Sequence, residues 1–263
     1  MAYDTILFAS EGGIARLTLN RPERMNSFNE AMHAEVRDAL DRVRTDASLR
    51  VLLLTGAGRA FCAGQDLGDR AVAPGAEAVD LGESIERNYR PLVLSLRRLP
   101  LPVVCAVNGV AAGAGANIAL ACDIVVAAKS ATFIQAFSKI GLIPDSGGTY
   151  FLPRLVGTAR AMGLAMLGER LIAEQAAEWG LIWQCVDDAE LHAAVEKLLR
   201  TLAGAPTAGL AATKRALYAA AGNSLETQLD FERDLQRMLG RSDDYREGVA
   251  AFAAKRAPRF GGH

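Results

Sequence analysis

Apolar residues occur in short runs along the chain before Pro206, and glycine, proline and polar residues separate the runs. Ile14–Leu19 alternates enough to predict a strand, while Val51–Thr55 and Val103–Val107 predict buried strands. Ile124–Ala127 and Thr132–Ile134 predict two further strands, the second one shorter. Because helical segments lie between these strands, the pattern is typical of an α/β fold.

Helical spacing marks the segments between the strands. Asn29 is expected to cap a helix that runs to about Arg44. Its apolar face would consist of Met32, Val36, Ala39, Leu40 and Val43. Further helices are expected near Ser84–Leu99 and from Gly113–Ala116, and the Ala-, Gly- and Pro-rich segment Arg70–Gly82 is expected to be a mobile loop. Strand pairs that alternate with helices suggest a repeated β-β-α unit, although no residue-level repeat is convincing.

The pattern after Pro206 is helical only. Pro206 is expected to open one helix, Ser224 and Ser242 to cap two more, and Pro258 to end the last. We therefore divide the chain into an α/β core over residues 1–205 and a helical region over residues 206–263. The helical region is expected to form a separate layer or an oligomer contact.

Composition narrows the class of protein. The 263 residues are 51% hydrophobic and 22% charged, which allows a sizeable buried core. The formal net charge of -1 argues weakly against nucleic acid as a partner. The N-terminus lacks the pattern of a signal peptide. The apolar region Val103–Ala128 is interrupted by Asn108, glycines and Asp123, so no membrane partner is expected.

The cysteines and histidines indicate no metal site. The chain has four cysteines without a C-x-x-C pair, namely Cys62, Cys105, Cys122 and Cys185. Its three histidines, which have no metal-ligand spacing, are His33, His192 and His263. Neither a disulfide framework nor a zinc site is therefore expected, and a reducing, cytoplasmic location fits.

The segment Asn108–Asp145 carries most of the candidate chemistry. It begins with the glycine-rich loop NGVAAGAGA after an apolar strand and ends at a lone acid, Asp145. Backbone N–H groups at a predicted helix start suit a developing negative oxygen, and Asp145 can transfer a proton. This combination indicates chemistry on a carbonyl compound through an enolate-like intermediate. Two simpler interpretations stay open, in which the glycines only permit tight turns and Asp145 caps a helix.

Five segments, taken in order, resemble the crotonase (enoyl-CoA hydratase/isomerase) superfamily over essentially the whole chain. They are NRPERMNSFN (Asn20–Asn29), FCAGQDL (Phe61–Leu67), NGVAAGAGA (Asn108–Ala116), CDIVVAAKSATF (Cys122–Phe133) and IGLIPDSGGTYFLPRLVG (Ile140–Gly157). The resemblance implies a crotonase-like spiral of β-β-α repeats, a helical C-terminal trimerisation region and acyl-CoA thioester substrates. It also implies a homotrimer or a dimer of trimers, and no cofactor, because coenzyme A is part of the substrate.

The resemblance assigns roles to single residues. It implies that the backbone N–H groups of Gln65 and Ala114 hold the thioester oxygen. The physical interpretation agrees, because both lie in glycine-flanked turns and Ala114 lies at a predicted helix start. The residues implied to contact coenzyme A are Arg24, Ala63, Asp66 and Lys255, together with Arg256. For Arg24 and Arg256 a solvated basic surface is the alternative.

The resemblance also indicates the reaction. Asn117 and Phe137 occupy the positions of two glutamates that hold water in hydratases of the superfamily, and neither can act as a carboxylate base. Asp145 occupies the position of an aspartate found in several isomerases. We therefore expect an acyl-CoA isomerase that uses Asp145 as acid and base. The resemblance implies that its substrate is ring-1,2-epoxyphenylacetyl-CoA or a 3-enoyl-CoA whose double bond moves. A broad 2-enoyl-CoA hydratase and a non-catalytic or RNA-binding member are the alternatives.

Two further interpretations are disfavoured. A dinucleotide-binding loop would need a third glycine where Ile118 stands. A dehalogenase of the same superfamily would need a tryptophan at the position of Phe137 and a histidine near Asn88-Tyr89-Arg90. Neither pattern is present in the sequence.

Overall fold

The computed structural model describes residues 3–70 and 80–263, and the strands in these ranges form two sheets. The strands are β1 (Ile6–Glu11), β2 (Ile14–Leu19), β3 (Val51–Gly56), β4 (Ala60–Cys62), β5 (Val103–Val107), β6 (Val110–Ala112), β7 (Ile124–Ala128), β8 (Thr132–Ile134), β9 (Arg170–Ile172) and β10 (Gln184–Val186). The first sheet has the order β1-β2-β3-β5-β7-β10, and the second has the order β4-β6-β8-β9. Among the described strands, β1 pairs antiparallel with β2 and β9 pairs antiparallel with β8, and the other pairs are parallel.

Helices connect successive pairs of strands and form the C-terminal part of the chain. They are α1 (Glu30–Thr45), α2 (Leu81–Ser84), α3 (Arg90–Arg98), α4 (Ala114–Ala121), α5 (Gly148–Leu167), α6 (Ala173–Glu178), α7 (Leu191–Ala203), α8 (Thr207–Ala220), α9 (Leu225–Leu239) and α10 (Asp243–Ala253). A π-helical turn, Ile85–Tyr89, joins α2 to α3. Short 3-10 turns span Pro22–Arg24, Leu67–Arg70, Ala136–Ile140 and Asp188–Glu190.

Consecutive strands alternate between the two sheets. β3, β5 and β7 join the first sheet, and the strands that follow them, β4, β6 and β8, join the second. A helical segment then leads to the next pair, so the predicted β-β-α repeat and the α/β fold are confirmed. Because β4, β6 and β8 are parallel neighbours, the loops that leave their carboxyl ends lie at one edge of the second sheet.

The core lies on both faces of the first sheet. Val51 and Leu53 of β3 pack with Val195 and Leu199 of α7 on the outer face. Leu52 and Leu54 point into the larger cluster on the inner face. Burial on both faces explains why the predicted strands are almost continuously apolar rather than alternating.

Most predicted helix starts are confirmed. The side chain of Asn29 accepts from the Met32 N–H at 2.9 Å, and the predicted apolar face of α1 is buried. Ser224 and Ser242 cap α9 and α10 through their hydroxyls. Pro206 stands at the N-cap of α8. Within the described residues, no helix is long and apolar enough to cross a membrane.

Several boundaries differ from the predictions. The helix expected from Ser84 begins at Leu81, because the Asp80 carboxylate accepts from the Gly82 and Glu83 N–H groups. Of the predicted loop Arg70–Gly82, residues 71–79 lie outside the described part of the chain. The last helix ends at Ala253 rather than at Pro258, because Lys255 adopts a positive φ of 51° that stops it.

Candidate active site

Three loops leave the carboxyl ends of β4, β6 and β8 and carry the predicted site residues. Gln65 follows β4, Ala114 follows β6, and Phe137 follows β8. Asp145 lies further along, in the turn before α5. The parallel pairing of the three strands therefore brings together segments that are far apart in the sequence.

The loop after β4 is clamped on both sides. Phe28 donates its N–H to the Gly64 carbonyl at 2.7 Å and accepts from the Asp66 N–H at 2.9 Å. Gly64 has a φ of 91°, and a β-carbon there would lie 2.9 Å from the Ala112 carbonyl oxygen. Only glycine therefore lets this loop approach the next one so closely.

The loop after β6 places an amide at a helix start. Gly113 has φ 54° and ψ -129° and precedes Ala114, the first residue of α4. A β-carbon at Gly64 would lie 3.2 Å from the Ala114 nitrogen, so the Gln65 and Ala114 segments are adjacent. The first N–H groups of a helix have no partner within the helix and carry its positive dipole end. The pair of loops can therefore receive a negatively charged oxygen.

Asp145 lies in a strained turn. The Ser146 hydroxyl donates to one carboxylate oxygen of Asp145 at 2.9 Å. Ser146 and Gly147 follow with positive φ values of 51° and 88°. The N-cap of α5 is Gly147, so the interpretation of Asp145 as the helix cap is wrong. The half-buried carboxylate is oriented by its turn and by Ser146.

Asn117 connects α4 to this turn. Its side chain is fully buried. The Nδ2 group donates to the Asp145 carbonyl oxygen at 2.8 Å, and Oδ1 accepts from Gln135 Nε2 at 2.8 Å. Both ends of the Asn117 amide are therefore engaged with the protein.

Phe137 is buried beside the glycine loop. A β-carbon at Gly113 would lie 3.8 Å from the Phe137 Cζ atom. The aromatic ring is 7% exposed. An apolar ring consequently occupies the space next to the Ala114 amide, where a polar group would be needed to hold water.

Tyr89 is a site residue that the sequence did not reveal. Its hydroxyl donates to the Gln65 side-chain carbonyl, Oε1, at 2.8 Å, and the residue is buried. It lies at the end of the π-helical turn Ile85–Tyr89, and such turns are frequent at functional sites. The π-helical turn has no periodic pattern of its own, so a sequence analysis could not have located it.

The residues predicted to contact coenzyme A lie in two places. Ala63 donates its N–H to the Met25 carbonyl at 2.9 Å, next to the turn that exposes Arg24. The Asp66 carboxylate forms a 3.0 Å ion pair with Arg21 that is largely buried. Asp66 therefore holds the loop in place, which is a structural task that the resemblance did not imply.

The second place is the exposed chain after α10. Lys255 is exposed. Arg256 makes two hydrogen bonds to the Glu247 carboxylate, at 2.6 and 2.8 Å, and these lower the pKa of Glu247 to about 2. The charge of Arg256 is thus already paired, whereas Lys255 adds a cation to this surface.

A cavity of about 670 Å³ opens beside the Asp145 turn. It lies between α3, α5, α8 and α9. Its lining combines apolar side chains, such as Val93, Leu94, Phe151 and Phe231, with three arginines, and it includes Gly147 from the turn itself. The volume and the aromatic part of the lining can accommodate an acyl group.

The contacts of Asp123 and the burial of Cys62 indicate structural rather than chemical roles. Asp123 accepts from the Val103 N–H at 2.7 Å and pairs with the buried Lys214 at 2.8 Å, so it fastens the start of β5. Desolvation lowers the pKa of Lys214, although Asp123 opposes the shift. Burial raises the pKa of Cys62 to about 12, so this thiol next to the loops is no nucleophile. Within the described residues, no group of three or more His, Cys, Asp or Glu side chains could hold a metal ion.

Comparisons with known proteins extend over nearly the whole chain. A family model described as enoyl-CoA hydratase/isomerase matches residues 9–263. The 1,2-epoxyphenylacetyl-CoA isomerase of Escherichia coli K12 is 62% identical over 257 residues and 98% of each chain. A Rhodobacter capsulatus protein named "Probable enoyl-CoA hydratase" is 51% identical over 100% of both chains. The crystal structure of an enoyl-CoA hydratase from Bacillus anthracis superposes with a TM-score of 0.90 at 31% identity, over 99% of this chain and 100% of that one.

Proposed function

This chain belongs to the enoyl-CoA hydratase/isomerase family, and from that premise we propose that it is an acyl-CoA isomerase. Its substrates would be ring-1,2-epoxyphenylacetyl-CoA, which is converted to the oxepin-CoA, and 3-enoyl-CoA thioesters, whose double bond moves to position 2. The 62% identity to an Escherichia coli 1,2-epoxyphenylacetyl-CoA isomerase supports the first substrate. The cavity beside the Asp145 turn, lined partly by aromatic rings, suits a phenyl-derived acyl group.

The N–H groups of Gln65 and Ala114 would bind the thioester oxygen. When a proton leaves the carbon next to the carbonyl, negative charge moves onto this oxygen. Two fixed donors in adjacent loops, one of them at a helix start, stabilise that charge in the transition state. One donor of this kind is typically worth about 3 kcal/mol.

Asp145 would transfer the proton. In the double-bond shift, its carboxylate takes a proton from C2, and the electron pair of that C–H bond enters a dienolate. The protonated carboxyl then returns a proton to C4, so that the new double bond lies between C2 and C3. One carboxylate acting first as base and then as acid is sufficient for this reaction.

The observation that carries the proposal is the environment of Asn117. A hydratase must hold a water molecule with two acids, but the Asn117 amide is fully engaged by the Asp145 carbonyl and Gln135. The other position is filled by the buried ring of Phe137. Within the described residues, these two positions therefore offer no acid to activate water, whereas Asp145 would supply the carboxylate that transfers the proton.

Product analysis tests the proposal. The protein is incubated separately with ring-1,2-epoxyphenylacetyl-CoA and with a straight-chain 3-enoyl-CoA, and the products are identified by mass and NMR. We expect isomers of unchanged mass. Products heavier by one water molecule, without isomers, would reject the proposal.

Hydration is the second candidate, because a relative that is 51% identical is named as a hydratase. The double variant Asn117→Glu with Phe137→Glu separates the two candidates. If those positions determine the reaction, the double variant gains crotonyl-CoA hydration over the wild type, provided that circular dichroism shows it folded despite the buried charges. If the wild type already hydrates efficiently, the hydratase assignment replaces ours. RNA binding by a non-catalytic member is checked with a salt-dependent binding assay.

The assembly and the remaining contacts form part of the same proposal. We expect a homotrimer or a dimer of trimers, held partly by the helical region 206–263. Large apolar side chains exposed on α9 and α10 support it, namely Leu225, Leu229, Met238, Tyr245, Val249 and Phe252. Arg24, Ala63, Asp66 and Lys255 would contact coenzyme A, and no other cofactor is needed for this proton transfer. The four free thiols fit a reducing cytoplasm.

A further inference from the structure

A chain of two buried side-chain amides ends at the residue assigned the proton transfer. Gln135 follows β8, Asn117 lies in α4, and the Asp145 turn precedes α5. The two side chains are almost completely buried, and their hydrogen bonds join three separate segments of the fold. Neither residue carries a charge.

The orientation of both amides is fixed by the Asp145 carbonyl. A backbone carbonyl can only accept, so Asn117 must present its NH₂ group to Asp145 and its oxygen to Gln135. Gln135 must then present its NH₂ group to Asn117. Within the described residues, the Gln135 oxygen at the far end has no hydrogen-bond partner despite its burial. A buried acceptor left unmatched is a feature that calls for an explanation.

The Asp145 turn, to which Asn117 is hydrogen-bonded, has little freedom to shift. A β-carbon at Gly148 would lie 2.4 Å from the Asn117 Nδ2 atom, so α5 begins in direct contact with α4. The Asp145 carbonyl also accepts from the Gly148 N–H at 2.8 Å. Movement of the Asn117 amide must therefore move the backbone that carries the Asp145 carboxylate.

We propose that Asn117 and Gln135 are positioning residues that set the location of the Asp145 carboxylate relative to the substrate. This proposal rests on the proposed function, because it assumes that Asp145 transfers the proton. Neutral amides suit the task, since they hold the turn without adding a charge beside the carboxylate. The unmatched oxygen of Gln135 is then the consequence of orienting its donor toward Asn117.

The first test is Gln135→Leu, which keeps the approximate volume and removes the donor to Asn117. A misplacement on the order of 1 Å can cost about 10²-fold in rate, so we expect kcat for 3-enoyl-CoA isomerisation to fall about 10–10²-fold while KM stays within about threefold. The matched control is Thr132→Val on β8. The Thr132 hydroxyl is buried without a hydrogen-bond partner in the described chain, so this variant should retain wild-type kcat.

The second test is a double-mutant cycle with Asn117→Ala. If Gln135 acts through Asn117, adding Gln135→Leu to Asn117→Ala lowers kcat no further. A general loss of packing would instead make the two changes multiply in kcat and raise KM in parallel. If Asn117→Ala does not fold, as judged by circular dichroism, the result for Gln135→Leu against Thr132→Val decides alone.

Asp145→Asn, measured alongside, distinguishes failure of the inference from failure of the proposed function. If Asp145→Asn is nearly inactive and Gln135→Leu retains wild-type kcat, the positioning role is rejected and the proposed function stands. If Asp145→Asn remains active, the proposed function fails, and the inference fails with it. A fall in kcat for Gln135→Leu that is absent in Thr132→Val, combined with a non-additive cycle, supports the positioning role.

Discussion

The turn at Met25-Asn26 and the turn at Ser146-Gly147 share a backbone feature and differ in how they are held. Each contains two successive residues with positive φ, 51° and 56° in the first and 51° and 88° in the second. Among the described residues, the one other non-glycine position with positive φ is Lys255. Unusual backbone of this kind persists only where the surrounding structure enforces it, and it concentrates at functional sites.

The first turn is held by its own side chain. Asn26 accepts from the Arg21 N–H at 2.9 Å through Oδ1. Its Nδ2 group donates to the carbonyls of Ala57, Ala60 and Phe61 at 2.9, 2.8 and 3.2 Å. The side chain closes the turn and fastens it to β4, which leads into the loop that carries Gln65.

The second turn is held from outside, by Asn117 of α4 and, through it, Gln135. Loss of Asn26 would release the turn and remove a donor from three carbonyls in and beside β4, so it should lower the free energy of unfolding. Loss of the Asn117–Gln135 pair would shift one carboxylate, so it should act on catalysis. The comparison thus distinguishes Asn26, whose loss should lower the stability of the fold, from Asn117 and Gln135, whose loss should lower kcat.

The largest effect is expected for Asp145→Asn, which removes the reacting group from the second turn. Loss of a general acid–base group usually lowers kcat by about 10²–10⁴-fold. The amide is nearly isosteric, so binding of the thioester should be largely retained. Stopped-flow or steady-state kinetics on a 3-enoyl-CoA measures kcat. Calorimetry with a non-reactive acyl-CoA measures the affinity for the thioester.

The control for this variant is Asp41→Asn, an exposed aspartate on α1. It should retain wild-type turnover. Turnover of Asp145→Asn within about threefold of wild type would remove Asp145 from catalysis, since general acid–base groups contribute far more than that.

The next effect is on stability, for Asn26→Ala in the first turn. Four hydrogen bonds are lost and buried carbonyls are left with fewer donors, which should lower the free energy of unfolding by roughly 3 kcal/mol. Thermal unfolding followed by circular dichroism measures the change. Asn223→Ala is the control, because Asn223 bonds a single side chain near the surface. Equal stability of the two variants would contradict the structural role of Asn26.

A smaller effect is expected for Tyr89→Phe, which tests the loop between the two turns. The hydroxyl donates to the Gln65 side chain at 2.8 Å. Loss of one such bond is worth about 1 kcal/mol, so kcat should fall about fivefold while KM changes little. Tyr3→Phe, which removes an exposed hydroxyl bond to Asp38 of α1, should leave kcat unchanged. A Tyr89→Phe enzyme with unchanged kcat would show that the bond does not position the loop.

The smallest effect concerns the ion pair between Glu247 and Arg256, which follows the positive φ of Lys255. The Arg256 guanidinium and the Arg259 N–H lower the pKa of Glu247 from 4.5 to about 2. Because the folded pKa is below the unfolded one, this stabilisation is fully present above about pH 4.5 and is lost as the pH falls through about 2. An NMR titration of the Glu247 carboxyl should give a midpoint near 2, and a midpoint near 4.5 would mean that the pair does not form.

Much of the fold could be predicted because its signals are local. The buried strands β3, β5 and β7 are long apolar runs, and the caps Asn29, Ser224 and Ser242 act on N–H groups three residues away. The strands β4, β6, β9 and β10 were not predicted, because three residues rarely show a periodicity, although β8 of the same length was predicted from its apolar run. The longer edge strand β1 was not predicted either. They form where pairing partners, rather than intrinsic propensity, hold them extended.

The candidate site was predictable only in part. Motif order indicated that the Gln65 and Ala114 loops belong together, and the parallel pairing of β4 with β6 brings them to adjacent positions. The bond from Gln135 to Asn117 depends on the pairing of β8 with β6, which no local pattern specifies. Asp145 was open to interpretation as a helix cap, but the positive φ values of Ser146 and Gly147 move the helix start beyond it.

The central claim is that this site moves protons within an acyl-CoA rather than adding water to it. The most direct measurement is the ratio of kcat/KM for 3-enoyl-CoA isomerisation to kcat/KM for crotonyl-CoA hydration, determined on one preparation of the wild-type protein. Because Asn117 is engaged at both ends and Phe137 is apolar, we expect the ratio to exceed about 10², the usual contribution of one acid–base group. Efficient hydration of crotonyl-CoA without detectable isomerisation would contradict the account.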